Sequence, residues 1–189
     1  MIRAGAQGAL IVVDVQVGVM QDAWETARII KNIGIAVEKA RTQGVPVIWV
    51  QHSDDELVYG SPAWQLVPEL SVMEGETLIH KHFNSSFEET SLEEILAQLG
   101  VARVFLVGAA TNWCIRATAY GALDRGYDLT LVKDAHTTGT IELENNAVIE
   151  AADIIHELNI AMTWLSYPGR SNGTVTAGDL DFAVPGEAR

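Results

Sequence analysis

The sequence predicts a three-layer α/β/α domain on a mainly parallel, six-stranded sheet. Three observations carry this. Short, almost uninterrupted apolar runs recur along the chain, helical stripes fall between them, and glycines stand where those helices would end. An apolar run without polar alternation marks a strand covered on both faces, as in a parallel sheet. Strands alternating with helices imply right-handed crossovers and helices on both sides of the sheet.

The elements follow in order. ALIVVDV at 9–15 is rich in β-branched residues and reads as the first strand. Ile30, Ile33, Val37 and Ala40 then keep helical spacing, and Gly44 follows as a C-cap. VPVIWVQ at 45–51 and TLIHK at 77–81 read as strands two and three. Leu92, Ile95, Leu96 and Leu99 form the next stripe, with Ser91 and Glu94 placed as a capping box and Gly100 as the stop. ARVFLVG at 102–108 and YDLTLVK at 127–133 are strands four and five, with Gly126 just before the latter. Ala147, Ala151, Ile154, Ile155 and Leu158 make a third stripe, and IAMTWLS at 160–166 reads as the sixth strand. One domain spans 1–189, with residues 52–76 as an insertion and 166–189, which holds Pro168, Gly169, Gly173 and Pro185, as a C-terminal tail.

Composition narrows the partners. Twelve Lys and Arg against 25 Asp and Glu leave a net charge of −13, which argues against a nucleic-acid partner. No stretch approaches the ~18 apolar residues of a membrane span. The single cysteine forms no internal disulfide, and the N-terminal apolar run ends at Asp14 without a small-residue cleavage site, so a cytoplasmic protein is expected. No glycine-rich phosphate loop is present, so no nucleotide cofactor is expected.

In an open parallel sheet, ligands bind beyond the carboxyl ends of the strands. Asp14 and Gln16 lie there after strand one, His52 after strand two, Lys81 after strand three and Cys114 after strand four. A carboxylate ending a buried strand is costly unless paired, which makes Asp14 a candidate base. A cysteine in the first turn of a helix is expected to have a lowered pKa. Lys81 beside both would hold them as anions. His80 and His82 alone make a poor metal site. Tyr59 and Trp64 in the insertion, with His52, Gln16 and Trp113 beside the cysteine, are the candidate substrate contacts.

Asp14 in VVDVQ, Lys81 in LIHKHFNSSFEETSLEEIL and Cys114 in LVGAATNWCIRATAYGALDRGYDLTLVKDA together resemble the isochorismatase-like cysteine hydrolases, over about residues 8–165. The resemblance implies a Rossmann-type sheet, an Asp14–Lys81–Cys114 triad and a cis peptide between Ala109 and Ala110. It also implies an oxyanion hole from the N–H groups of Ala110 and Cys114, and a homodimer or higher oligomer. The implied activity is cleavage of an amide, ureide or lactam C–N bond in a small molecule through a thioester. An enol-ether hydrolase of the isochorismatase type and a non-catalytic small-molecule-binding member are the competing readings. Nicotinamidases of this family carry an Asp-x-His for a metal. Here strand two ends QHSDDE, so no metal is expected.

Overall fold

The computed structural model describes Arg3 and residues 5–183; Pro185 of the tail lies outside the described residues. In chain order the elements are β1 (Gln7–Val13), α1 (Val17–Met20), α2 (Thr26–Thr42), β2 (Val47–His52), β3 (Thr77–Lys81) and α3 (Leu92–Gln98). They continue as β4 (Val101–Ala109), a π-helical turn (Thr111–Ile115), α4 (Arg116–Asp124), β5 (Asp128–Thr137), β6 (Ile141–Glu142), β7 (Val148–Ile149), α5 (Ala151–Trp164) and β8 (Asn172–Val175). The main sheet has the order β3-β2-β1-β4-β5-β8, and its neighbours all pair parallel. β6 and β7 form a separate antiparallel hairpin.

The central strands are apolar throughout because both faces are covered. Ile11 and Val13 of β1 pack with Leu92 and Leu96 of α3, Ala119 and Leu123 of α4, and Leu158 and Met162 of α5. Leu10 and Val12 face the other way, onto Ile33, Ala36, Val37 and Ala40 of α2. Each large aliphatic side chain so buried stabilises the fold by about 1.5–3 kcal/mol. No helix among the described residues is long and apolar enough to cross a membrane.

The sixth strand is not where the apolar run put it. Residues 160–164 continue α5, and the strand comes from Asn172–Val175 in the tail. The helical stripe runs on through buried Met162, four residues after Leu158, whereas Ile160 and Trp164 point outward. An edge strand pairs on one side and is partly covered, so NGTV carries no apolar run. Ala177, Leu180 and Phe182 then join the α2 layer. The tail is therefore built into the domain.

Two smaller expectations also change. Ala147 accepts the Leu143 N–H within the β6–β7 hairpin and lies before α5. The Ser91 side chain makes no capping bond; instead Thr90 Oγ1 accepts the Leu92 N–H at 3.2 Å. Gly44, Gly100 and Gly126 do take the left-handed backbone at their helix ends, with φ of 67°, 65° and 93°.

The order of the strands positions the site. The chain runs outward from β1 to β2 and β3, then crosses back to place β4 on β1's other side. A crevice opens where such an order reverses, at the carboxyl ends of β1 and β4.

Candidate active site

Asp14 is the first residue past β1, and its N–H donates to the Val50 carbonyl at 2.8 Å. Lys81 ends β3, two strands away, and reaches across the crevice. Cys114 sits in the π-helical turn after β4, close to the end of β1 because Gly108 brings the two strands together. A Cβ added at Gly108 would stand 2.0 Å from the Val13 carbonyl oxygen, and its φ of 123° suits only glycine. The Ala109–Ala110 peptide is cis. Beyond it, the Ala110 carbonyl accepts the N–H groups of both Trp113 and Ile115, at 3.0 and 3.1 Å, which winds the turn.

The three side chains meet. Lys81 Nζ lies 2.6 Å from Asp14 Oδ2 and 3.2 Å from Cys114 Sγ. Asp14 and Lys81 are each 1% exposed and Cys114 8%. Asp14 thus has the ammonium at ion-pair distance, while neither of its oxygens makes a hydrogen bond of good geometry among the described residues. A free carboxylate lone pair next to a thiol is where a thiol proton can go.

Burial decides the resting protonation. Desolvation raises the Asp14 pKa even though Lys81 pulls it down. Desolvation, and then the negative charge of Asp14, push the Cys114 thiol up to about 12. The lowered thiol pKa expected from a helix N-terminus is overturned: one carboxylate and one ammonium already balance, and a thiolate would add an uncompensated buried charge. At neutral pH the sulfur therefore rests as the thiol.

The candidate substrate contacts divide. Gln16 is fully buried and its amide is spent: Nε2 donates to the carbonyls of His52 and Trp64, and Oε1 accepts the His52 N–H. It fastens the insertion to β1 and is not free for a ligand. Tyr59 and Trp64 pack edge-to-face with His80, with ring centroids 5.1 and 5.3 Å from it. Adjacent strand residues face opposite ways, so His80 carries both aromatics to the sheet face away from Lys81. His52 does reach the cluster, with Nδ1 3.4 Å from Lys81 Nζ. Trp113 is 58% exposed beside the sulfur. His82 Nδ1 donates to the Ser53 carbonyl at 2.9 Å, and among the described residues no three His, Cys, Asp or Glu converge as metal ligands.

Two residues escaped the sequence reading. Asn84 Oδ1 lies 3.9 Å from Cys114 Sγ. It follows Lys81 by three residues, but only the loop's path reveals its aim. His136, fully buried near the end of β5, joins the turn to α5: Nδ1 accepts from Thr111 Oγ1 at 2.9 Å and Nε2 donates to Asn159 Oδ1 at 3.0 Å. A histidine closing a buried strand was the available signal.

Burial depresses the His136 pKa from 6.5 to about 4. Between these values the unfolded chain binds the proton and the folded one does not, so stability rises with pH through this window. Its contribution is fully present above pH 6.5 and is lost as pH falls toward 4, about 3 kcal/mol in all. Denaturation midpoints at pH 4.5 and 7 should show this loss, and His136→Gln should flatten it. Asp14, with its raised pKa, acts in the opposite sense in both proteins and cancels in the comparison.

The comparisons with known proteins agree with this fold. The isochorismatase domain family matches residues 8–164. A secreted isochorismatase effector, Isc1, of Verticillium dahliae is 31% identical over 67% of this chain and 72% of its own length. The ureidoacrylate amidohydrolase RutB of Klebsiella pneumoniae is 31% identical, covering 72% of this chain and 76% of its own. A streptothricin hydrolase of Streptomyces noursei is 29% identical over 69% of this chain, which spans about half (54%) of that protein. The crystal structure of an isochorismatase from Pseudomonas putida superposes with a TM-score of 0.80 at 27% identity, covering 94% of this chain and 92% of that one. The matched span holds Asp14, Lys81 and Cys114 together, and the chain belongs to the isochorismatase family.

Proposed function

We propose that this chain is a hydrolase of non-peptide C–N bonds in small molecules, using Cys114 as nucleophile. One observation carries the reading: carboxylate, ammonium and thiol are in contact, buried, at the sheet's switch point. The kinship to a ureidoacrylate amidohydrolase and a streptothricin hydrolase supports the bond class.

In the proposed reaction Asp14 takes the thiol proton as sulfur bonds to the acyl carbon. Its raised pKa makes it a stronger base, and proton transfer keeps the buried charge constant. The N–H groups of Ala110 and Cys114 hold the tetrahedral oxyanion; that of Ala110 has no backbone acceptor among the described residues. The C–N bond breaks as Asp14 returns its proton to the leaving nitrogen. Water then attacks the thioester, giving one proton to Asp14, which passes it back to the departing sulfur. Lys81 offsets the charge on Asp14 and on sulfur throughout.

The relation to an isochorismatase effector makes enol-ether cleavage the competing reading. That reaction needs an acid to protonate the vinyl carbon and a water, and no sulfur nucleophile. The test is amine or ammonia release from a panel of amides, ureides and lactams, before and after iodoacetamide alkylation of Cys114, the chain's single cysteine. Release that stops on alkylation, with an acyl adduct on Cys114 in the quenched native enzyme, is expected. Undiminished release after alkylation would overturn the nucleophile.

A further inference from the structure

A buried ammonium has three N–H donors and no way to shed them into water, so each needs an acceptor. Two of the partners around Lys81 Nζ are Asp14 Oδ2, an ion pair at 2.6 Å, and Cys114 Sγ, which accepts at 3.2 Å. The third is His52 Nδ1 at 3.4 Å. Facing an ammonium, that nitrogen must present a lone pair, which places the imidazole proton on Nε2. Nε2 lies 3.0 Å from Asp54 Oδ2, and a carboxylate accepts such a proton. Asp54 is itself fixed: its Oδ1 accepts the N–H groups of Glu56 and Leu57, at 2.9 and 2.6 Å. Those bonds, that of Leu57 foremost, hold its carboxyl below the usual range, so it stays an acceptor.

We infer that His52 and Asp54 are positioning residues for the nucleophile: Asp54 fixes the His52 tautomer, and His52 supplies the third acceptor that seats the Lys81 ammonium between Asp14 and Cys114. The inference rests on the cysteine reading of the site, and it removes His52 from the substrate contacts. It also gives the first residues of the insertion a part in the chemistry without a contact to substrate. Neither residue gains or loses a proton in this role. A protonated His52 would set a second cation against Lys81, with only Asp54 and Asp14 to offset the pair, and would cancel the bond.

The experiment measures the rate of Cys114 alkylation by iodoacetamide near neutral pH, read by intact mass, which needs no substrate. Asp14→Asn is the control on the reading itself. If it leaves the rate unchanged, the Asp–Lys–Cys coupling fails, whatever His52 does. Given an Asp14→Asn rate that differs from wild type, His52→Ala should alkylate about tenfold more slowly than wild type, the scale of one lost hydrogen bond to a charged group. His52→Asn, whose side-chain oxygen stands where Nδ1 stood, should return to within about threefold. Asp54→Asn is the deciding variant. Its oxygen still caps the loop N–H groups, but its amide N–H now faces Nε2 and drives the imidazole proton onto Nδ1, against the ammonium. It should be as slow as His52→Ala, whereas a merely structural Asp54 would tolerate asparagine. Asp54 is half exposed, so this variant folds whether or not His52→Ala does. Wild-type rates in Asp54→Asn, or a His52→Asn protein as slow as His52→Ala, would overturn the inference.

Discussion

Lys81→Met is expected to lose at least about 10³-fold of the hydrolytic rate and about 3–5 kcal/mol of stability near pH 8. Methionine fills the lysine's volume but brings no charge, so Asp14, 1% exposed, is left without its partner. An unpaired buried carboxylate has one escape, to take a proton. A protonated Asp14 can no longer accept one from Cys114, and the rate falls with it. The sign of the pH dependence follows. The folded pKa of Asp14 is already raised by burial, and losing the ammonium, which pulls it down, raises it further. A raised carboxyl pKa contributes stability below the unfolded value of about 3.9 that is lost as pH rises through the folded value. The deficit of Lys81→Met relative to wild type should therefore shrink from pH 8 to pH 5. Asp14→Asn/Lys81→Met should regain most of the stability and none of the activity. Denaturant titrations of the three proteins at both pH values check this; an equal deficit at pH 5 and pH 8 would contradict the assignment of the buried charge.

Gly108→Ala is the second large effect, and it is mainly one of packing. The added methyl would stand 2.0 Å from the Val13 oxygen and 2.8 Å from its carbon and nitrogen, all backbone atoms of the neighbouring strand. No rotamer change relieves a clash between two main chains. β1 and β4 must part at their carboxyl ends, where Asp14 and the cysteine turn are hung. A loss of more than about 3 kcal/mol is expected, beyond the usual range for a point substitution. Any protein that does fold should alkylate Cys114 far more slowly than wild type, since Asp14 and the turn no longer register. A Gly108→Ala protein with wild-type melting and wild-type alkylation would show that the strands approach each other less closely than described.

The parts of the fold legible in the sequence are those where burial leaves a compositional trace. β1, β2 and β4 are covered on both faces, so each reads as an apolar run, and the first polar residue after the run marks the rim. Asp14 was found in that way, Lys81 as the polar end of the shorter run TLIHK on edge strand β3, and Cys114 by its place on a strand-to-helix turn. β8 left no such trace because an edge strand is half-covered, and the apolar end of α5 imitated the strand that was missing. Substituents of the site were harder to see. Gln16 lies where a ligand contact would, but its amide bonds go to the protein's own backbone, and Trp64 packs against His80 on the far face of the sheet. The lowered thiol pKa failed because the sequence shows the turn's field but neither the burial of the sulfur nor the carboxylate beside it.

The tail strand also sets where the protein can be shortened. The family match stops at residue 164, yet β8 at Asn172–Val175 completes the sheet and Phe182 packs face to edge against Phe105. A recombinant piece trimmed to the matched span would leave β5 as an unguarded flank, with its ladder of N–H and C=O groups open to any extended chain nearby. The catalytic cluster would be intact on paper, and the product would be prone to self-association. Fusion partners and affinity tags therefore belong beyond residue 183, where the sheet and the α2 layer are already complete.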